Sequence, residues 1–150
     1  MEKKNDITKK ELSDRDVKFF NIAKKISLHN TTNRRYYIGC IATLNGKILS
    51  TGYNRDKTSP VQARYEKYSP KKTDRVEFKS YLHAEVDCLK NIENEDIPWH
   101  RVKLYIYRSC KSREHGIARP CPQCMKMIKD LGIQTIYYTT DLGYSKEILY

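Results

Sequence analysis

Two short segments constrain the fold of this chain more than anything else in it: Tyr81-Leu82-His83-Ala84-Glu85-Val86-Asp87-Cys88-Leu89 and, well downstream, Arg119-Pro120-Cys121-Pro122-Gln123-Cys124. His83, Cys121 and Cys124 offer an imidazole and two thiols, the donor types that zinc prefers. Three protein ligands leave a tetrahedral zinc one position short, which is where a water is activated. A carboxylate beside that water can carry protons to and from it, and Glu85 is placed for this role. A fold that uses these groups must bring the two segments together.

The spacing within each segment agrees with that demand. Cys121 and Cys124 are three apart and share one face of a helix, while Pro120 and Pro122 suit a helix start, where the first amides have no intrahelical partner. A helix N-terminus carries partial positive charge and favours thiolate over thiol. His83 and Glu85 are two apart, so they face one pocket from a loop-to-helix junction and would diverge in mid-helix. Apolar stripes at helical spacing follow both motifs: Leu82, Val86, Leu89 and Ile92 after the first, and Cys124, Met127, Ile128 and Leu131 in the second.

His-Ala-Glu followed by Pro-Cys-x-x-Cys resembles the signature of the zinc-dependent cytidine and deoxycytidylate deaminase superfamily. The resemblance covers roughly residues 13–140. It implies that His83, Cys121 and Cys124 hold zinc, that Glu85 is the proton shuttle, and that the backbone of Ala84 helps hold the polar edge of the base. It also implies an α/β fold, a three-layer α/β/α sandwich with a mixed sheet. A hairpin opens that sheet, and further strands alternate with the two metal-bearing helices.

Length and composition bound the remaining choices. One hundred and fifty residues suffice for a single domain, expected over residues 13–150, with residues 1–12 a polar, basic, frayed arm. No run approaches the roughly 18 apolar residues of a membrane span, and the Lys-rich N-terminus lacks a secretory apolar region, so the expected location is the cytoplasm, with no membrane partner. Five cysteines, two of them with a metal use, argue against a disulfide framework; Cys40, Cys88 and Cys110 are expected as buried free thiols.

The net charge of +11 admits a phosphate-bearing partner, a free nucleotide or single-stranded nucleic acid, as well as a merely solvated Lys-rich surface. Local clustering is more telling. Arg64, Lys67, Lys71, Lys72, Arg75 and Lys79 precede the first motif, and Arg108, Lys111, Arg113 and Arg119 precede the cysteines.

Along the chain, Ser13 with Asp16 reads as a capping pair, and Phe19, Ile22, Ala23 and Ile26 as the apolar stripe of a helix running to about His29, with His29 itself exposed. Tyr36–Leu44 and Lys47–Tyr53 are strand-forming runs around Asn45-Gly46, the dipeptide that tolerates the positive φ of a type I′ turn. In the deaminase family the second strand commonly ends in Gly-aromatic-Asn, and Gly52-Tyr53-Asn54 matches it, which assigns Asn54 to the substrate sugar. The stretch from Asn54 to Tyr81 is either a specificity loop or a surface insertion, with a short helix near Val61–Lys67.

Val102–Tyr107 reads as a strand with Val102, Leu104 and Ile106 on one face and Lys103, Tyr105 and Tyr107 on the other, and Trp99 packs at its base. Arg108–Arg119 is longer than the family's usual passage to Pro-Cys and is read as an excursion over the pocket, with His115 solvated. The cysteine helix ends at Gly132, a left-handed cap, and Ile133–Thr140 is another strand. Ten residues then remain, too few for a helical crossover, so Tyr144–Leu149 is either a short antiparallel strand or irregular.

Three functions of different class follow. The first is hydrolytic deamination of cytosine in a free nucleotide, dCMP and water giving dUMP and ammonia. The second is deamination of cytosine or adenine in single-stranded DNA or in RNA. The third is a structural zinc domain in which Cys110 or another side chain closes the metal shell. A redox role for Cys121 and Cys124 is weaker still. The family resemblance also admits assembly of several copies.

Overall fold

The computed structural model describes residues 3–29, 36–57, 59–68, 82–92 and 96–149. Its centre is a seven-stranded mixed sheet in the order β1-β7-β6-β4-β2-β3, with β5 paired to β4 beyond β6. The strands are β1 (Lys3–Ile7), β2 (Tyr36–Leu44), β3 (Lys47–Tyr53), β4 (Lys103–Cys110), β5 (His115–Gly116), β6 (Thr135–Thr139) and β7 (Tyr144–Ile148). The helices are α1 (Asp14–Ser27), α2 (Pro60–Arg64), α3 (Ala84–Lys90) and α4 (Pro122–Leu131). Helix α1 covers one face of the sheet, and α3 and α4 cover the other, so the expected α/β/α sandwich is the fold observed.

Local chemistry explains most of these elements. Ser13 caps α1 by accepting a hydrogen bond from Asp16 N at 3.1 Å. Asn45 and Gly46 both take positive φ, 52° and 79°, and turn β2 into β3. Gly132 ends α4 at φ 96°. Pro60 and Pro122 stand in the first turns of α2 and α4, where a missing amide costs nothing.

Alternation along the strands divides the core. On the α1 side, Phe19, Phe20 and Ala23 meet Ile41, Tyr105, Tyr107, Tyr137 and Tyr144. Tyr105 stacks on Tyr137 with centroids 4.6 Å apart, Phe20 meets Tyr105 edge-on, and the Tyr105 hydroxyl donates to Asp16 at 2.6 Å. On the other side, Cys40, Ala42, Leu104, Ile106, Ile136 and Tyr138 pack against Leu82, Val86, Leu89, Cys124 and Ile128. The faces of β4 are as expected, and both are buried from Leu104 to Tyr107, while Lys103 is exposed. Cys40 and Cys88 are buried free thiols, while Cys110 is only half-buried.

Helix α3 sits unusually close to β3. A Cβ at Gly52 would lie 2.3 Å from Cys88 N and 2.6 Å from Ala84 O. Strand β4 is shared along its length: Lys103–Ile106 pair in parallel with β6, and Arg108 and Ser109 pair with β5. Thr139, at the end of β6, joins the two halves, receiving Arg108 N at 3.2 Å and donating to Gly116 O at 2.7 Å.

Three sequence expectations are corrected. Residues 3–7 are not a frayed arm: they form β1, antiparallel to β7 from Lys3↔Ile148 to Ile7↔Tyr144. A ladder at a sheet edge is held by main-chain bonds and needs no apolar face, so a polar sequence gives it no signature. His115 is not solvated but buried in β5, its Nδ1 2.6 Å from Thr140 O and its ring against Tyr107 and Tyr144. The helix near Val61–Lys67 is α2 followed by a separate 3-10 turn, Glu66–Tyr68. Of the two readings of the C-terminus, the antiparallel strand is the one observed.

Replacing Gly52 with Ala forces α3 off the sheet. The expected loss is about 1–3 kcal/mol of unfolding free energy, the usual cost of overpacking, read from the urea midpoint.

Candidate active site and metal centre

The site forms where β3 and β4 end and helices α3 and α4 begin. His83 is the N-cap of α3 and Cys121 the N-cap of α4, so two of the three candidate ligands occupy helix-start positions with extended backbone. Cys124 lies one turn into α4 and is fully buried. His83 Nδ1 is 3.2 Å from Cys124 Sγ and 3.5 Å from Cys121 Sγ. Ligands about 2.0 and 2.3 Å from a tetrahedral zinc stand roughly 3.5 Å apart, so one nitrogen and two sulfurs at these distances suit that ion. Among the described residues these three form the only such cluster, their ligand atoms within 4.8 Å of one another, and Cys110 is not part of it.

Glu85 is in the first turn of α3, 5% exposed, and lines the same cavity. That cavity holds about 260 Å³, near the lower end of small-molecule pockets, and its walls include Asn54, His83, Ala84, Glu85, Arg108 and Arg119. The three candidate ligands and the other candidate site residues named from sequence are thus gathered in one place. A larger hollow of about 420 Å³, lined by Ile7, Ile117 and Leu142 among others, contains none of them.

The electrostatics follow from burial and proximity. The Cys121 thiol is drawn down to about 4, first by hydrogen bonding from Cys124 and then from His83, against the cost of desolvation. Cys124 is pushed well above its usual value by the same bond and by burial. For His83, burial works downward but is outweighed by the Cys121 bond and the Glu85 charge, so its value rises. Burial raises the Glu85 carboxyl; His83 opposes the shift and the Cys121 charge adds to it. The net effect favours the protonated form of that carboxyl.

The model of the cytidine and deoxycytidylate deaminase zinc-binding region matches residues 13–140. The chain belongs to that family. Two structures of the dCMP deaminase from the cyanophage S-TIM5, one apo and one in complex with dCMP and dUMP, share its fold with TM-scores of 0.52 and 0.53. Each is 23% identical over 86% of this chain, and the matches cover 86% and 84% of those chains. No curated protein sequence matches. Family membership makes the chain a zinc-dependent deaminase, and no described helix is long and apolar enough to cross a membrane.

Around the deaminase site lie residues that the sequence did not single out. Asp87, buried in α3, accepts from Tyr53 N and Arg55 Nε, both at 3.2 Å, and so grips the chain on either side of Asn54. Asn54 Oδ1 in turn accepts from Ile38 N at 2.9 Å, which fixes that side chain at the pocket wall. Glu147, fully buried in β7, takes Arg119 in a bidentate pair at 2.9 and 2.8 Å and accepts from the Tyr138 hydroxyl at 2.9 Å. Arg119 precedes Pro120-Cys121, so this pair anchors the entry to α4. A charged residue beside an apolar stripe was the only hint of Asp87, and Glu147 gave none.

The basic clusters divide. Arg108 and Arg119 reach the cavity, whereas Arg113 pairs with Asp141 at 2.8 Å and Lys111 is exposed. Lys71, Lys72, Arg75 and Lys79 lie outside the described residues.

The purified protein is expected to carry close to one zinc per chain. Metal analysis of Cys124→Ser should show at most about a tenth of that, because a two-ligand remainder does not retain the ion through dialysis.

Proposed function

We propose that this chain deaminates the cytosine of a free nucleoside monophosphate, converting dCMP and water to dUMP and ammonia. The observation that carries the proposal is one small cavity lined by His83, Cys121 and Glu85 together with two arginines, Arg108 and Arg119, the second of them paired through its guanidinium with Glu147. Such a cavity offers a reacting centre and an anion-binding wall within the reach of one nucleotide. The complex of the cyanophage S-TIM5 dCMP deaminase with dCMP and dUMP supports the same choice of ligand.

In this mechanism His83, Cys121 and Cys124 hold zinc, which when bound supplies the Lewis acidity that makes water nucleophilic near neutral pH. Glu85 accepts the proton released as water adds to C4 of the base and delivers it to N3. It then takes the second hydroxyl proton and passes it to the departing amino group, which leaves as ammonia. The raised Glu85 carboxyl suits both directions of transfer. We assign the backbone of Ala84 to the polar edge of the base and Asn54 to the sugar, since both line the cavity beside Glu85.

Ammonia release from a panel of cytidine, deoxycytidine, their mono- and triphosphates, adenosine, and short single-stranded DNA and RNA tests this reading. Turnover is expected for dCMP and should persist in high salt. Turnover of strands alone, falling steeply with salt as counterions are released, would overturn it.

Two substitutions sharpen the test. Glu85→Gln is expected to keep its zinc and lose turnover by about 10²–10⁴-fold, the usual contribution of a positioned acid-base group. A structural zinc domain would instead show no turnover to lose. Arg108→Gln is expected to raise KM for dCMP about tenfold and leave KM for deoxycytidine unchanged, since only the phosphate meets that side chain.

A further inference from the structure

Gln62 lies in the stretch between β3 and α3, and it is fully buried. It touches the starts of both helices that carry the candidate ligands. Its Oε1 accepts a hydrogen bond from His83 N at 3.0 Å, and its main-chain oxygen accepts one from Gln123 Nε2 at 2.9 Å. His83 caps α3, and Gln123 stands between Cys121 and Cys124 in the first turn of α4. One residue is therefore bonded to the ligand-bearing end of each helix.

The segment that carries Gln62 is itself held. Ser59 caps α2 by accepting from Val61 N at 3.3 Å. Farther along, the Tyr65 hydroxyl donates to Asp130 at 3.3 Å, and the Lys126 ammonium lies 5.7 Å from the centre of the Tyr68 ring. Asp130 and Lys126 belong to α4, so α2 and the turn after it are tied to the outer face of the helix whose start Gln62 reaches from within.

As a space-filling group, Gln62 is a poor choice. Among the described residues its Nε2 is buried without a hydrogen-bond partner, a cost that Met, of similar volume, would not carry. What Gln has and Met lacks is the oxygen that receives His83 N. The metal-ligand distances give that bond a purpose. The candidate ligands come from two separate helix starts, and zinc–ligand distances stay within about 0.2 Å of their usual values, so a bond that sets the gap between α3 and α4 bears directly on the site.

We propose that Gln62 is a positioning residue of the metal centre, setting the separation of the two helix starts at which His83 Nδ1 faces both cysteine sulfurs. It acts through His83 and Gln123 and touches neither metal nor substrate. The inference rests on zinc being held by His83, Cys121 and Cys124 and is independent of which nucleotide is deaminated.

The test is zinc affinity, measured by competition with a chromogenic chelator, together with the visible spectrum of the cobalt-loaded protein. The variants are Gln62→Met, Gln123→Met, the double variant and Ser50→Ala. Ser50 is the control, because its hydroxyl donates to Cys88 O at 2.7 Å, on the same helix but away from the ligands. Gln62→Met and Gln123→Met are each expected to weaken zinc by about tenfold, the range found when groups that orient metal ligands are removed, and to alter the cobalt bands. The double variant should lose no more than about threefold beyond the weaker-binding single variant, because both changes cut the same strut. Ser50→Ala should bind zinc as the parent does.

Unchanged affinity in Gln62→Met, strictly additive losses in the double variant, or an equal loss in Ser50→Ala would overturn the proposal. Should Gln62→Met fail to fold, Gln62→Glu, which keeps the acceptor oxygen, is expected to bind zinc within about threefold of the parent, and a loss of tenfold or more would overturn it. Failure of the dCMP reading would leave all of these affinities standing.

Discussion

Helix α3 lies on the sheet at a distance that only a missing side chain permits. At Gly52 the strand meets the helix backbone itself, within 2.6 Å of where a Cβ would be for both Cys88 N and Ala84 O. This contact places the first turn of α3, with His83, Ala84 and Glu85, level with the end of β3, where Asn54 follows. Gly39, on the neighbouring strand, does the same for α1 on the opposite face, where a Cβ would lie 2.1 Å from Ala23 O. The β2–β3 hairpin is gripped by backbone from both sides, and the cavity opens at the end of that grip. Because helix and strand backbones touch directly, no side-chain rearrangement can absorb a shift between them.

Buried polar groups then hold what the close packing has placed. Asp87 and Glu147 are carboxylates with almost no exposure, and each is satisfied by an arginine and at least one further donor. Buried ion pairs of this kind contribute little net stability compared with apolar side chains, yet losing one partner is costly. Their effect here is geometric. Arg55 follows Asn54, and Arg119 precedes Pro120-Cys121, so each pair fastens a turn of chain that enters the site. The longer passage between β4 and α4 works in the same sense. It folds back as β5, is stitched by Thr139, and delivers Ala118 and Arg119 to the cavity wall.

Legibility in the sequence tracked how local the physics was. The Ser13 cap, the Asn45-Gly46 turn and the Gly132 cap involve residues within a few positions of one another, and their backbone requirements are written in residue type. The meeting of His83 with the two cysteines was legible because metal chemistry accepts few side chains and restricts their spacing. The polar strand β1 was not legible, since its ladder is made of main-chain groups that every residue carries. His115 was misread for a related reason: a histidine in a Gly-containing loop looks solvated until that loop is known to pair with β4 and cover the ring.

By itself, then, the sequence determined the candidate donor set, the helix starts that present it, the hairpin and the layered α/β class. Each of these follows from residue chemistry and near-neighbour spacing. Only the tertiary structure decided which buried polar groups meet: Gln62 with His83 across 21 residues, Arg119 with Glu147 across 28 and Arg55 with Asp87 across 32. Such pairs have no periodicity and no required spacing. Their partners are chosen when the helices settle on the sheet and water is excluded, because a buried polar atom must then find its hydrogen bond within reach.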